Sequence, residues 1–166
     1  GGAVAAFKTK VAKEADTGFA TILGGTGALS KVDKTTLNNL NTAAIAAGGD
    51  VKANLLSKAE GAIGNVGAAG SAGKISRAVD VLAAAGVSVD AFKAEVLSKV
   101  DGKLEGVLAK SSTGIGSKDN AEVTMLIKTA VAAGRSESDT KAFVLDKAEK
   151  SIGNVGVAGS AGKITR

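Results

Sequence analysis

Glycine, serine and lysine recur at close spacing in IGNVGAAGSAGKISR, residues 63–77, and a near copy, IGNVGVAGSAGKITR, forms residues 152–166. Glycine-rich loops that end in Gly-Lys can hold a phosphate group with their backbone amides. The nucleotide-binding form needs a serine or threonine directly after the lysine to bind magnesium, but Ile75 and Ile164 stand there. The dinucleotide-binding form needs a preceding β-strand, whereas the preceding residues have a helical pattern. The spacing therefore argues against a nucleotide site.

The same glycines are better explained as the ends of helices. Gly64 is expected to end one helix, and Gly67 and Gly70 to form the turn that follows. Ser71 is expected to cap the next helix, with Lys74 on its first turns.

Catalytic chemistry has few candidates in this chain, which contains no His and no Cys. Ser71 and Lys74 lie one helical turn apart and could in principle form a nucleophile pair, but exposed helix positions explain them more simply. The carboxylate pairs Glu14/Asp16 and Glu95/Asp101 lie in lysine-rich helices and are interpreted as solvated faces. The missing His and Cys argue against structural zinc, and residues 101–106 do not supply a calcium loop. We predict no catalytic residue, no metal site and no enzymatic activity.

The charge of the chain is mildly basic, with a formal net charge of +5 at pH 7. Its lysines are scattered along helical segments, and no aromatic residues lie between them to stack on bases. This pattern favours solvated helix faces over nucleic-acid binding, with acidic proteins or anionic lipid headgroups as weak partners. No apolar run approaches the roughly 20 residues of a membrane span.

A long internal duplication is the strongest pattern in the sequence. Residues 50–77 align without gaps to residues 139–166, with 20 of 28 positions identical at an offset of 89. Inside it lies a shorter unit, in which an Ala-Ala-Gly sequence is followed by an aspartate and a second helical pattern. The three examples of this unit begin at Ala46, Ala84 and Ala132 and reach Asp50, Asp90 and Asp139. Such a unit is typical of a helical hairpin.

The first of these hairpins shows the physical pattern most clearly. Leu37, Leu40, Ala44 and Ala47 share one helix face. Gly48 is placed to end that helix in a left-handed conformation, and Asp50 to cap the next one.

These patterns predict an all-α protein of repeated αα-hairpins, forming a helical solenoid or bundle in a single domain of residues 1–166. Helices are expected at 3–22, 33–47, 50–62, 71–85, 89–108, 119–133 and 139–151, with another beginning near 160. The longest loop is expected at 111–117, and a second glycine-broken connection at 23–30. Aromatic residues are 2% of the chain, so the core must consist mainly of Ala, Val, Leu and Ile.

Both ends of the chain carry an expectation. The second copy stops at Arg166, where the first copy continues into a full helix, so we expect that more sequence follows. The start at Gly1 without a methionine fits either removal of a targeting segment or a chain given in part.

The order of segments resembles the water-soluble peridinin–chlorophyll proteins of dinoflagellates. The resemblance is carried by KEADTGFATIL (13–23), TLNNLNTAAIAAGGDVKANLLSKAEGAIGNV (36–66) and SAGKISRAVDVLAAAGVSVDAFKAEVLSKVDG (71–102). It spans roughly residues 10–102, as a pattern with weak identity in alanine-rich helices. It implies all-helical halves that form a shell around chlorophyll and carotenoid in the thylakoid lumen, with a half-length form that is a homodimer.

The resemblance also implies candidate site residues. The family has adjacent histidines before its counterpart of Ala-Ile-Gly, and these help to hold the chlorophyll magnesium. Here the corresponding residues are Ala59 and Glu60 in the first copy, and Ala148 and Glu149 in the second. The remaining candidates for cofactor binding, directly or through water, are Glu60, Asn65, Glu149 and Asn154.

The leading hypothesis is a non-enzymatic lumenal protein of the chloroplast, associated with an algal light-harvesting or photosystem assembly as a chlorophyll- and carotenoid-binding antenna or as a linker subunit. Its partners would be protein subunits of a larger complex or further copies of itself, near a membrane surface. An alternative is a structural α-solenoid subunit without pigment, extracellular or in the cell envelope, that assembles with itself. An α/α-toroid enzyme of the terpene-cyclase type is disfavoured, because its cavity needs aromatic residues.

Overall fold

Seven α-helices make up most of the chain. The computed structural model describes residues 1–110, 116–153 and 158. The helices are α1 (Gly2–Gly24), α2 (Lys31–Ala46), α3 (Val51–Ala62), α4 (Ser71–Ala84), α5 (Asp90–Ala109), α6 (Ser117–Ala132) and α7 (Glu137–Ile152). No strand occurs in the described ranges. The predicted all-α fold class is confirmed.

The predicted helices agree with the observed ones to within two residues at every end. This agreement arises because apolar residues at helical spacing are interrupted by glycine at each connection. The helix predicted near residue 160 and most of the predicted loop at 111–117 lie outside the described residues.

The three Ala-Ala-Gly sequences end their helices in the same way. At the end of α2, the amide of Gly48 donates to Ile45 O and the amide of Gly49 donates to Ala44 O, both at 2.9 Å. This pair of bonds is the Schellman motif, which satisfies carbonyls that the helix itself leaves unpaired. Equivalent bonds close α4 and α6. The glycines of the three motifs have φ values of 83°, 67° and 96°: Gly48, Gly86 and Gly134. The left-handed end predicted at Gly48 is confirmed.

Side-chain caps begin three of the helices. Asp50 accepts from the amide of Ala53 at 3.1 Å, which confirms the predicted cap of α3. Ser30 and Asp33 form a reciprocal capping box at the start of α2. In α7 the cap is Ser136, and Asp139 lies inside the first turn instead. The capping aspartate of the predicted hairpin is therefore replaced by a serine in the second copy.

The chain divides into two compact units. Unit 1 comprises Gly1–Gly64 and Gly73–Lys93, and unit 2 comprises Asn65–Ala72 and Ala94–Arg166. In unit 1, α1 and α2 make the most extensive contact between helices. Gly18 permits this approach, because a Cβ there would lie 2.7 Å from both terminal methyl carbons of Leu40. A small residue at the contact lets the two backbones come together.

The two cores are aliphatic apart from two phenylalanines. The buried residues of α1, α2 and α3 in unit 1 are Ala15, Phe19, Ile22, Leu23, Leu37, Ala44, Val51, Leu55 and Ala59. The face predicted for α2 is therefore correct, since Leu37 and Ala44 are buried and Leu40 and Ala47 are half-buried. Those buried in unit 2 include Val96, Val100, Leu104, Val107, Leu126 and Ala130.

None of the helices in the described ranges has the length and apolar character needed to cross a membrane.

Glycine substitutions provide a test of the helix-end assignment. Gly48→Ala is expected to lower the free energy of unfolding by about 1 kcal/mol, because φ is positive there and a Cβ meets no neighbour within 4 Å. Gly61→Ala is the matched control, inside α3 and equally open. It is expected to raise the free energy of unfolding by about 0.5–1 kcal/mol, because alanine is the better helix former. Urea unfolding followed by circular dichroism measures both changes. If the two substitutions change the free energy of unfolding in the same direction, the assignment is contradicted.

Candidate functional site

The candidate cofactor-binding residues lie at the ends of repeat helices. Glu60 is half-buried near the end of α3 in unit 1, and Glu149 is exposed on α7 in unit 2. Asn65 is exposed, and its side-chain oxygen accepts from the amide of Gly67 at 3.1 Å. Asn154 lies outside the described residues. Glu60 and Glu149 are thus carboxylates with access to solvent, whereas the Asn65 oxygen already stabilises its own turn.

In unit 1, the residue that corresponds to the first histidine of the peridinin–chlorophyll proteins is buried. Ala59 is 0% exposed and faces the aliphatic core of α3. Its counterpart Ala148 is half-buried on α7. A side chain much larger than alanine would have to displace core atoms at position 59.

An open groove of about 430 Å³ in unit 2 lies beside Asn65. Its other lining residues come from the glycine turn and from α6: Gly67, Ala69, Lys118, Ala121, Glu122 and Met125. Glu122 also pairs with Lys103 at 3.7 Å. The groove therefore offers a mixed lining of small apolar groups with one exposed lysine and one paired carboxylate.

The glycine turn has the conformation expected of a helix connection. Gly64 and Gly70 have φ values of 53° and 82°, as predicted for a helix end and a turn. Lys74 is exposed, and Ile75 is 1% exposed in the core. Because a buried isoleucine follows the lysine, no hydroxyl is available there for a metal-bound phosphate.

The prediction that Ser71 caps α4 is wrong. Ser71 is the first residue of α4 and is buried, and its hydroxyl donates to Val66 O at 2.8 Å. Thr129 of α6, fully buried, lies 2.8 Å from Ser71 Oγ and also reaches Val66 O at 2.9 Å. The two hydroxyls therefore hold the glycine turn to α6 within unit 2. Ser71 has no contact with Lys74 that would support a nucleophile pair.

Arg77 is the most constrained charged residue of unit 1. Its side chain is 7% exposed, and its Nη2 lies 3.1 Å from Asp33 Oδ2. Its Nε donates to Ile22 O at 2.9 Å and its Nη1 to Ala28 O at 3.0 Å. Ile22 lies in the last turn of α1, where helix carbonyls lack intrahelical partners. One guanidinium thus satisfies the end of α1, the α1–α2 connection and the start of α2.

The carboxylate that faces Arg77 is also held by its own cap. Hydrogen bonds from the hydroxyl and the amide of Ser30 lower the pKa of Asp33, and the charge of Arg77 lowers it further. The ionised form of Asp33 is therefore the form that stabilises this corner.

A second set of charges holds α5 to the later helices of unit 2. Arg135 donates to both oxygens of Asp101, at 2.5 and 2.8 Å, and lies 5.3 Å from the centre of the Phe143 ring. Lys147 Nζ lies 2.6 Å from Glu105 Oε1, and this hydrogen bond raises the pKa of Lys147. The interpretation of Asp101 as part of a solvated face is therefore wrong, because it is half-buried in a bidentate ion pair.

Asp16 differs from its predicted role in the same way. It is half-buried and accepts a hydrogen bond from Asn54 of α3, and Lys58 Nζ lies 3.9 Å from its Oδ2. Glu14 remains exposed beside Lys10, as predicted. In both carboxylate pairs, one member faces solvent and the other binds a side chain outside its own helix.

No group of three or more His, Cys, Asp or Glu residues that could hold a metal ion occurs in the part of the chain that the structure describes. The polar residues missed by sequence reasoning are Arg77, Thr129 and Arg135. A signal existed for Arg77, because it lies four residues before the apolar Val81 on one helix face and recurs as Arg166. Its acceptors could not be found from the sequence.

Replacement of Arg77 tests the importance of its three contacts. Arg77→Met is expected to lower the free energy of unfolding by about 2–4 kcal/mol, because it removes two hydrogen bonds to backbone carbonyls and the ion pair with Asp33. Arg77→Lys should recover only part of this loss, since an ammonium cannot match the guanidinium fork. Lys74→Met, an exposed change on the same helix, is the control and should stay within about 0.5 kcal/mol of the wild type. If urea unfolding shows that Arg77→Met loses no more free energy of unfolding than Lys74→Met, this role is contradicted.

Acid titration tests the charge of Asp33. Its pKa is lowered in the folded chain, so its stabilising effect is complete above the unfolded value of about 3.9 and is lost as the pH falls through the lower folded value. Asp33→Asn is expected to be less stable than the wild type at neutral pH and to lose less stability between about pH 4 and pH 2. Thermal unfolding across this range measures both, with Asp80→Asn as an exposed control on α4. An unchanged acid slope in Asp33→Asn would refute the assignment.

Comparison of the chain with protein-family models, with curated proteins and with solved structures gives no match. The function is therefore inferred from the residues themselves and from the resemblance of segment order.

Proposed function

We propose that this chain is a non-enzymatic helical-repeat subunit that links proteins within an algal light-harvesting or photosystem assembly in the thylakoid lumen. The resemblance of residues 10–102 to the peridinin–chlorophyll proteins supports the assembly, and the repeated hairpins support a structural role. Repeated hairpins provide extended surfaces for partners without a catalytic site.

The observation that supports a linker over an antenna is the packing at Ala59. This position corresponds to a pigment-holding histidine in the resembled family, but here a methyl group is sealed in the core of unit 1. The resemblance of helical pattern is thus present without the histidine that helps to hold the chlorophyll magnesium in that family. A chain that has the helical pattern but an alanine at the ligand position fits a linker better than an antenna.

Pigment binding is the second candidate, favoured by Glu60. Its carboxylate follows Ala59 directly on α3 and is half-buried, with no ion pair or hydrogen bond to its side chain among the described residues. Carboxylate oxygens are suitable ligands for magnesium. Chlorophyll bound there would leave a carotenoid to pack along aliphatic helix surfaces.

The linker role is tested in thylakoid extracts of the source alga. Native gel electrophoresis followed by immunodetection of the chain is expected to find it in bands that carry chlorophyll fluorescence. Recovery only in chlorophyll-free fractions would contradict the role. A mild detergent wash that releases other lumenal proteins controls for trapping.

Reconstitution separates the linker from the antenna. The purified chain is mixed with chlorophyll and carotenoid and passed through a gel-filtration column. The chain has no Trp and no Tyr, so pigment in the protein peak is readily detected against its weak ultraviolet absorbance. The linker role predicts an uncoloured peak. A coloured peak that is lost in Glu60→Ala and kept in Glu95→Ala would establish the antenna instead.

A further inference from the structure

The first turns of α1 are exposed on all sides. Each of residues 1–10 is exposed, and the first half-buried residues of the helix are Val11 and Ala12. At 1.5 Å per residue, the exposed helical part, residues 2–10, is about 14 Å long. A helical surface of this length is therefore open to a partner outside the chain.

The position of α2 explains this exposure. Leu40 of α2 lies against Gly18 of α1 in the close contact between the two helices. Since a short connection joins them, α1 and α2 are antiparallel neighbours. Helix α2 continues for six residues after Leu40, so its last residue, Ala46, lies at the level of Ala12, which is six residues before Gly18. Helix α1 therefore extends past the end of α2 by its first three turns.

The exposed turns carry an apolar stripe. Val4 and Phe7 are 63% and 67% exposed. At 100° per residue, Val4, Phe7 and Val11 lie within about 60° of one another, and Ala3 widens the apolar arc to about 100°. An arc of this width is sufficient for a helix that lies with one face on an apolar phase.

Lysines lie along both edges of the stripe. Lys8 is about 40° from Val4 at one edge, and Lys10 is about 20° from Ala3 at the other. Lysine stems in such positions lie along an apolar surface while their ammonium groups reach the polar layer beside it. Apolar side chains between two edges of lysine are the pattern of a helix that lies in the plane of a membrane interface.

The charge of these turns has one sign. Residues 2–13 contain three lysines and no carboxylate. Each of the other six helices of the described ranges carries charges of both signs within its first twelve residues. The start of α1 is therefore unlike the helices that form the two units. A uniformly negative surface, such as a layer of anionic lipid headgroups, matches it better than the mixed charges of a folded protein.

Glu14 marks the end of the stripe. It lies two turns beyond Phe7 on the same side of the helix, and its side chain is 70% exposed. Its Oε1 lies 3.9 Å from Lys10 Nζ, and an exposed pair of this kind contributes little. Lys10 is therefore not committed to Glu14. The apolar surface is confined to residues 3–11, the turns that extend past α2.

We infer that Val4, Phe7 and Val11, with Lys8 and Lys10 at their edges, form a surface that docks on anionic lipid headgroups. The first turns of α1 lie in the plane of the interface, with the Phe7 ring among the headgroups. Such a surface is compatible with a linker and with an antenna, so its test does not bear on the proposed function.

Sedimentation with vesicles tests the preference for negative charge. The chain is expected to sediment with vesicles of equal parts phosphatidylcholine and phosphatidylglycerol, and to stay in solution with phosphatidylcholine alone. Lys8→Gln with Lys10→Gln should weaken binding at least about tenfold, because lysines near a negative membrane attract it. Lys31→Gln with Lys34→Gln removes the same charge from exposed positions of α2 and is the matched control. It should stay within about twofold of the wild type at physiological salt, where distant charges are screened.

A tryptophan at position 7 tests the insertion of the stripe. The chain has no Trp, so Phe7→Trp provides a single reporter, whose emission moves to shorter wavelength in an apolar environment. Anionic vesicles are expected to cause this change. Ile45→Trp, at a position that is 65% exposed on α2, is the matched control and should show none.

Removal of the ring tests its contribution to docking. Phe7→Ala should weaken sedimentation with anionic vesicles at least about fivefold, because it removes the largest apolar group of the stripe. Its thermal unfolding should match that of the wild type, because the side chain is exposed.

Four results would overturn the inference. These are equal binding to neutral and anionic vesicles, no binding to either, equal spectral changes in Phe7→Trp and Ile45→Trp, and equal loss of binding in the two double-lysine variants. Sedimentation velocity of the chain alone should give a monomer. A dimer that Phe7→Ala abolishes would assign the stripe to a second copy and refute docking on lipid.

Discussion

The left-handed glycine after Ala-Ala is the constraint on which the arrangement of the helices depends. The cores consist mainly of Ala, Val, Leu and Ile, whose contacts have little directionality, so packing alone would leave many similar helix orientations. The Schellman bonds fix the path of the chain at the end of α2, α4 and α6. Each motif ends one helix and determines where the next can begin. Repetition of one turn thereby repeats one hairpin, and small residues such as Gly18 then allow close packing.

Buried polar groups supply the directionality that the aliphatic cores lack. In unit 1, Arg77 binds two carbonyl oxygens and one carboxylate from the end of α1 to the start of α2. In unit 2, the hydroxyls of Ser71 and Thr129 converge on the carbonyl of Val66. Each group has hydrogen-bonding partners, so its desolvation is offset. Of these residues only Ser71 was considered as a nucleophile from the sequence, and its hydroxyl binds a backbone carbonyl instead.

The helices could be predicted because their signals are local. Apolar spacing, glycines with positive φ and the Asp50 cap act within about one turn of the residues concerned. The roles of Ser71 and Arg77 could not be predicted, because Thr129 lies 58 residues from Ser71 and Ile22 lies 55 residues from Arg77. The candidate residues Glu60 and Glu149 were placed on the correct helices, but a carboxylate at a helix end has no sequence pattern that separates a ligand from a solvated group. The burial of Ala59 likewise depends on packing between helices, which the sequence does not show.

The duplication allows a side chain to be compared with its own counterpart in a second setting. At the position equivalent to Thr129, the first repeat has Ala43. Alanine has no hydroxyl, so the contact that Thr129 makes is found in one repeat only. An alignment of residues 1–24 with residues 86–109 pairs Phe7 with Phe92. These two positions carry the same residue, but Phe7 is 67% exposed and Phe92 is 0% exposed. A largely exposed phenylalanine contributes little to the free energy of folding, whereas a fully buried one removes a large apolar area from water. The sequence of a duplicated helix therefore does not by itself determine the exposure of its side chains, because exposure depends on the elements that pack around each copy.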